Sequence, residues 1–195
     1  MENINARPLR FRSIITPKSY ILFFLPIIVC VIAVAIGNII FLDYVHVLSG
    51  GVWTGIDLFM GFIVGPVIGK LTPAARAEVI KNLVPYMLFF MPSIASVAVT
   101  AGYYLASSES VFIITSPAIF ISGILVILLI LQGFGIFMPN EVRIFLELGK
   151  PQPDVNKMTR LAMMNFRLSG LQGAMQIALI FIMANIANNN LYLHF

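Results

Sequence analysis

Within VHVLSGGVWTGIDLFMGFIVGPVIGK, residues 45–70, an apolar stretch long enough to cross a bilayer carries a histidine, a tryptophan and an aspartate. Each helical residue advances about 100°, so residues seven apart nearly eclipse and residues four apart lie about 40° away. His46, Gly50, Trp53 and Asp57 therefore share one stripe, with Asp43 near its outer end. An ionisable group inside a membrane faces a partner, a cavity or a cofactor rather than lipid. Asp57 is expected to be protonated or paired, because an unpaired carboxylate at mid-membrane costs ~2.5–3.5 kcal/mol even on the lenient scale.

His46 admits three readings. It is a core histidine bonded to a neighbouring carbonyl, an axial haem ligand with Gly50 and Gly51 leaving room for a macrocycle, or a copper ligand. The copper reading adds Asp43 one turn away and thioethers suited to Cu(I). The site residues are then His46, Trp53 and Asp57 around a bound group, and His46 with Asp43 as metal ligands. Haem and copper are the candidate cofactors. The methionines equally fill gaps between helices.

A second polar stripe lies near the C-terminus, where Asn165, Ser169, Gln172 and Gln176 are spaced four, three and four. Its amides either join helices by hydrogen bonds of ~0.6 kcal/mol each or partner Asp57. Glu141 and Glu147, with Arg143 between them, read as a solvated face. No phosphate-cradling glycine loop, zinc spacing or serine elbow is present.

The elements that must position these groups follow from composition. Of 195 residues, 59% are hydrophobic and 10% charged, with mean hydropathy +0.97; soluble domains carry about 25% charged residues. The fold class expected is all-α, a polytopic membrane bundle of five transmembrane helices. The first span covers about Tyr20–Ile39 and is a retained helix rather than a signal peptide. The apolar character then runs on to Gly69, too far for one ~30 Å crossing, so the chain turns between Asn38 and Asp43. The second span is the His46 helix, kinked by Pro66. Thr72-Pro73 caps a surface helix over Ala74–Leu83, followed by a third span, about Val84–Leu105, bent by Pro85 and Pro92. Ser107–Ser110 forms a turn. The fourth span is about Val111–Met138, continuing as helix through Glu147, and the fifth begins near Asp154 or Val155 and crosses from Phe166 to Ala187. Gly51 with Gly55, and Gly61, Gly65 and Gly69, offer close helix approach, and Gln132-Gly133-Phe134-Gly135 would receive the second helix. Cys30 is a small buried hydrophobe.

With five spans, all twelve lysines and arginines fall on one side. Arg7, Arg10, Arg12 and Lys18 precede the first span; Lys70, Arg76 and Lys81 follow the second; Arg143, Lys150, Lys157, Arg160 and Arg167 flank the last connection. The positive-inside rule puts the N-terminus in the cytoplasm and the C-terminal tail, with His194, outside. The net charge of +4 requires no nucleic acid.

His46-Val-Leu-Ser-Gly-Gly-Val-Trp53, followed by Gly55, Gly65-Pro66 and LTPAARAEVIKNLVP, resembles the CopD copper-resistance family of integral membrane proteins. The His-to-Trp interval is also that of HemJ, the membrane protoporphyrinogen oxidase. The resemblance covers about residues 40–187, and MPNEVRIFLELGKPQPDVNKMTRL is similar to the basic connection these proteins place before their last helix. It implies a basic N-terminal segment and added first helix over 1–42 and a CopD-like four-helix core over 43–195. It also implies copper movement or haem b, with His46 the ligand and Trp53 its neighbour. The chain departs from HemJ in having no lysine within residues 111–138. The expected function is an accessory subunit of a membrane redox complex in the cytoplasmic (cell inner) membrane, holding haem b or copper at His46. Its partners are membrane lipid and other membrane subunits. A copper permease, or a purely structural subunit, are the alternatives.

Overall fold

A computed structural model describes residues 17–109 and 115–188. Arg7, Arg10, Arg12, the Ser110 end of the expected turn, the first residues of the fourth span and the tail with His194 lie outside them. Among the described residues the fold is all-α, with five helices long and apolar enough to cross a membrane: α1 (Pro17–Ile36), α2 (Ile39–Lys70), α3 (Pro73–Ser108), α4 (Pro117–Leu148) and α5 (Val155–Ala187). The chain is a multi-pass membrane protein with lipid-facing apolar helix surfaces.

The first reversal is tighter than the sequence suggests. Gly37 takes φ +67, a conformation open to a residue without Cβ. Asn38 then caps α2 by accepting from the Phe41 amide at 2.9 Å, so Asp43 lies within the helix, not in the turn. Thr72 caps α3 as expected, accepting from the Ala75 amide at 3.4 Å. The Arg76 guanidinium closes the preceding helix end, donating to the carbonyls of Ile68, Gly69 and Leu71 at 3.1, 2.8 and 3.1 Å. No separate surface helix precedes the third span, because α3 runs unbroken from Pro73 through Pro85 and Pro92.

Two prolines act differently from a simple kink. A proline inside a helix lacks an amide donor, and its ring crowds the carbonyl four residues back. Ahead of Pro66 and of Pro139 the helix relieves this by widening into a π turn, at Met60–Val64 and at Gly133–Phe137. Gly65 donates to the Met60 carbonyl and Met138 to that of Gly133. A π turn takes up one residue more than an α turn, so every side chain beyond it is rotated by about 100° from where a regular helix would put it.

Apolar clusters tie the bundle together at both ends. At the end rich in basic residues, Ile68, Ile80, Val84, Ile144, Leu148, Met158 and Phe166 pack together. At the other end Cys30, Ala33, Leu42, Val45, Val97 and Ala101 join α1, α2 and α3, while Ala118, Ile182 and Ile186 join α4 to α5. The upper half of α4 packs mainly on α5 and meets α3 through Leu129, which clusters with Ile94, Ala95 and Ala98. α1 rests on α3 and, more lightly, on α2.

The glycine intervals divide. A Cβ on Gly61 would lie 2.2 Å from the Gly170 amide nitrogen, and one on Gly65 3.0 Å from Phe166, whereas Gly50, Gly51 and Gly55 face open space. Close approach therefore occurs between α2 and α5, at Gly61 and Gly65. Gln132 joins α5, donating to the Leu168 carbonyl at 2.9 Å, rather than receiving α2. Gly61→Ala should destabilise the bundle by about 1–3 kcal/mol, the usual cost of overpacking. Gly50→Ala should stay within about 0.5 kcal/mol. Denaturant unfolding in mixed micelles, followed by circular dichroism, checks the pair.

Candidate functional site

α5 carries the polar stripe as its inner face: Asn165, Ser169, Gln172 and Gln176 are all buried. Each finds a task set by its height along the bundle. Nearest the basic end, Asn165 accepts from Asn140 Nδ2 at 2.8 Å and donates to the Phe137 carbonyl at 3.2 Å. One turn on, the Ser169 hydroxyl returns to the Asn165 carbonyl at 3.1 Å. Two further turns along, Gln176 Nε2 donates to Asp57 Oδ2 at 3.1 Å. The amide partner that the sequence proposes for Asp57 is thus present. Gln172, Ser169 and Trp53 complete the polar surroundings of that carboxyl, whose residue is only 1% exposed.

A cavity of about 60 Å³ lies between α2, α3, α4 and α5, bordered by Trp53 and Asp57 from α2 and by Asn165, Ser169 and Gln172 from α5. Glu141 of α4 borders it as well. The sequence places Glu141 on a solvated face, and the π turn is why that fails. On a regular helix Glu141 lies nine steps from the inward-facing Gln132, about 180° away; taking up one residue in the π turn reduces this to about 80°. The same shift brings Asn140 to within about 20° of Gln132, where it meets Asn165. Met60, Met87, Met91 and Met138 border the same cavity. Among the described residues bordering it, the only acids are Asp57 and Glu141, and there is no lysine, arginine or histidine.

Glu147 is not a solvated residue either. It is 3% exposed, and its carboxylate accepts from Lys150 and Lys157, both at 2.9 Å, and from the Asp154 amide at 3.2 Å. This knot fixes the α4–α5 connection and uses up Glu147's charge locally. No such cation reaches Asp57 or Glu141 among the described ion pairs.

His46 is placed elsewhere. Its Nδ1 lies 2.9 Å from the Ala98 carbonyl of α3. The imidazole rests against Gly102, where a Cβ would come within 2.6 Å of it. The ring pins α2 to α3 and borders neither the carboxylate cavity nor the neighbouring cleft described below. The shared stripe of His46, Trp53 and Asp57 therefore splits by depth: Trp53 and Asp57 meet the cavity, and His46 meets α3. Asp43 is exposed. No group of three or more histidine, cysteine, aspartate or glutamate side chains suited to a metal occurs among the described residues.

Chemically, two carboxyls on different helices, several amide and hydroxyl dipoles and four thioethers can hold a cation inside the bundle. They offer no nucleophile paired with a base. Compared with protein-family models, with curated proteins and with solved structures, the sequence and fold match none.

Removing the donor to Asp57 while leaving the acid buried should cost about 1–3 kcal/mol. Gln176→Leu should therefore lower the unfolding midpoint clearly. Replacing both partners, in Asp57→Leu with Gln176→Leu, should restore most of that loss. A double-mutant cycle on unfolding in mixed micelles measures it.

Proposed function

We propose that this chain is an integral membrane protein that binds and passes a cation through the bilayer centre, with Asp57 and Glu141 supplying the charge. One observation carries the proposal: two carboxyls from separate helices border one cavity with no basic side chain among the described residues that line it. A carboxylate in oil must carry a proton or hold a cation. Gln176, Gln172 and Ser169 orient Asp57 for that task, and Trp53 forms the wall beside it. Copper(I) is the cation to test first, because thioethers are soft ligands that select it and four methionines border the cavity. The resemblance to the CopD family supports the same choice.

A second reading is favoured by a different observation. With Nδ1 held by the Ala98 carbonyl, His46 presents Nε2 as its ligating lone pair, the arrangement that orients histidine ligands in metal and haem sites. In that reading the chain is an accessory subunit of a membrane redox complex carrying haem b or copper at His46. Since His46 borders neither cavity, such a group lies on the flank of the bundle and takes its remaining ligands from another subunit.

In both readings the basic end is cytoplasmic by the positive-inside rule. Lys18, Lys70, Arg76, Lys81, Arg143, Lys150, Lys157, Arg160 and Arg167 all sit toward it. The N-terminus is then inside and the C-terminus outside, in the cytoplasmic membrane.

Two measurements separate the readings. Copper(I) titration of the nanodisc-embedded protein against a chromophoric chelator should give one site per chain, weakened at least a hundredfold in Asp57→Asn/Glu141→Gln and unchanged in His46→Ala. Binding that ignores the two carboxyls defeats the cation reading. Visible absorbance of the protein purified with its native partners should show a Soret band lost in His46→Ala if the second reading holds. A Soret band that survives removes His46 as ligand.

A further inference from the structure

A second cavity, of about 210 Å³, lies beside the first, between the outer halves of α3 and α4. These helices pack together through Ile80, Val84 and Ile144 at the basic end, whereas the upper half of α4 packs mainly on α5 and meets α3 at Leu129, clustered with Ile94, Ala95 and Ala98, so the two helices are more loosely joined there. The floor of the cleft, Trp53 and Leu129, is buried, and its rim, Ser96, Thr100 and Phe134, is exposed. A cleft with a buried floor and an exposed rim on a membrane-spanning surface opens sideways to lipid. Trp53 and Phe134 border both cavities, so the cleft shares a wall with the carboxylate site.

The two rim hydroxyls are the informative groups. Hydroxyls on membrane helices usually return to the carbonyl one turn back, as Ser49, Thr54, Ser108 and Ser169 do here. Ser96 and Thr100 make no such bond among the described residues. They lie twelve and eight residues before Ser108, about 18 and 12 Å of rise below that helix end, and an unpaired hydroxyl facing hydrocarbon is costly. Being four apart, they point the same way from one helix. A ligand arriving from the bilayer and seated here meets two hydrogen-bond donors and Phe134 at the rim and the Trp53 indole in the floor. An acyl chain would leave both hydroxyls unpaired and a sterol would satisfy one. A flat ring with carbonyls on its edge satisfies both and stacks on the indole.

We propose that the cleft between α3 and α4 is a lateral binding site for the ring of a quinone-type, membrane-dissolved carrier, with Ser96 and Thr100 donating to its carbonyl oxygens and Trp53 stacking on its face. The proposal concerns binding alone and goes beyond the cation reading: it shares Trp53 with that site but rests on Ser96 and Thr100.

Trp53 is the only tryptophan in the chain, so its fluorescence reports on the cleft directly. Decylubiquinone added to the full chain in lipid nanodiscs should quench it along a saturable curve. Ser96→Ala/Thr100→Val should raise the half-saturating concentration about tenfold, the loss of two modest hydrogen bonds. Ala95→Leu, at a buried position bordering the cleft, should abolish saturation. Quenching that rises linearly with quinone in the bilayer, or a midpoint unmoved by the hydroxyl substitutions, overturns the proposal. A native mass spectrum showing a bound phospholipid that decylubiquinone does not displace assigns the cleft to an acyl chain and overturns it too. Because the titration contains no copper, its result is separate from the fate of the cation site.

Discussion

Oil does not solvate a carboxylate, and the bundle is built around that fact at Asp57. The aspartate sits in the middle of a largely apolar helix that offers it Trp53 alone, so its amide partner must come from another helix. α5 supplies it, through an amide two turns beyond Ser169. For that amide to reach, α2 and α5 must approach closely. They do so where Gly61 faces Gly170, a contact that leaves no room for a Cβ on Gly61. Glycine packing and the polar stripe are therefore one device: the first brings the helices together, and the second uses the proximity to hold the acid.

The prolines have the complementary effect on α4. A regular helix would leave Asn140 and Glu141 pointing away from the direction set by Gln132. The π turn ahead of Pro139 takes up one residue and turns the following segment inward. Asn140 then bonds to Asn165, Ile144 enters the apolar cluster, and Glu141 reaches the cavity. Such turns recur at functional sites because they re-aim side chains without breaking the hydrogen-bonded backbone that a membrane demands. Beyond the turn α4 packs against α3; before it, the two helices meet more loosely, at Leu129, and the lateral cleft lies between them.

The acids differ in chemistry because they differ in company. Glu147, at the basic end, is surrounded by Lys150, Lys157 and a backbone amide, so its charge is neutralised by the protein itself. Asp57 and Glu141, deeper in, have dipoles and thioethers but no basic partner among the described residues. A protein that needed only structural acids could pair all three in the manner of Glu147. Leaving two of them facing a shared cavity is what directs attention to a transported or bound cation. His46, by contrast, is employed in joining α2 to α3.

Several features are legible in the chain itself. Hydropathy and the placement of cations determined five crossings, because apolar length and charge asymmetry are properties of the chain itself. Periodicity placed Asp57 beside Trp53 and aligned Asn165, Ser169, Gln172 and Gln176, because a helix fixes which residues share a face. What periodicity cannot supply is the angle between faces of different helices, or a change of period partway along one. That is why His46, aligned with Asp57 in sequence, bonds to α3 instead of the cavity, and why Glu141, apparently turned outward, borders it. Only the packed bundle decided which glycines touch and which amide reaches Asp57, because Gly61 and Gly170, like Asp57 and Gln176, lie more than a hundred positions apart.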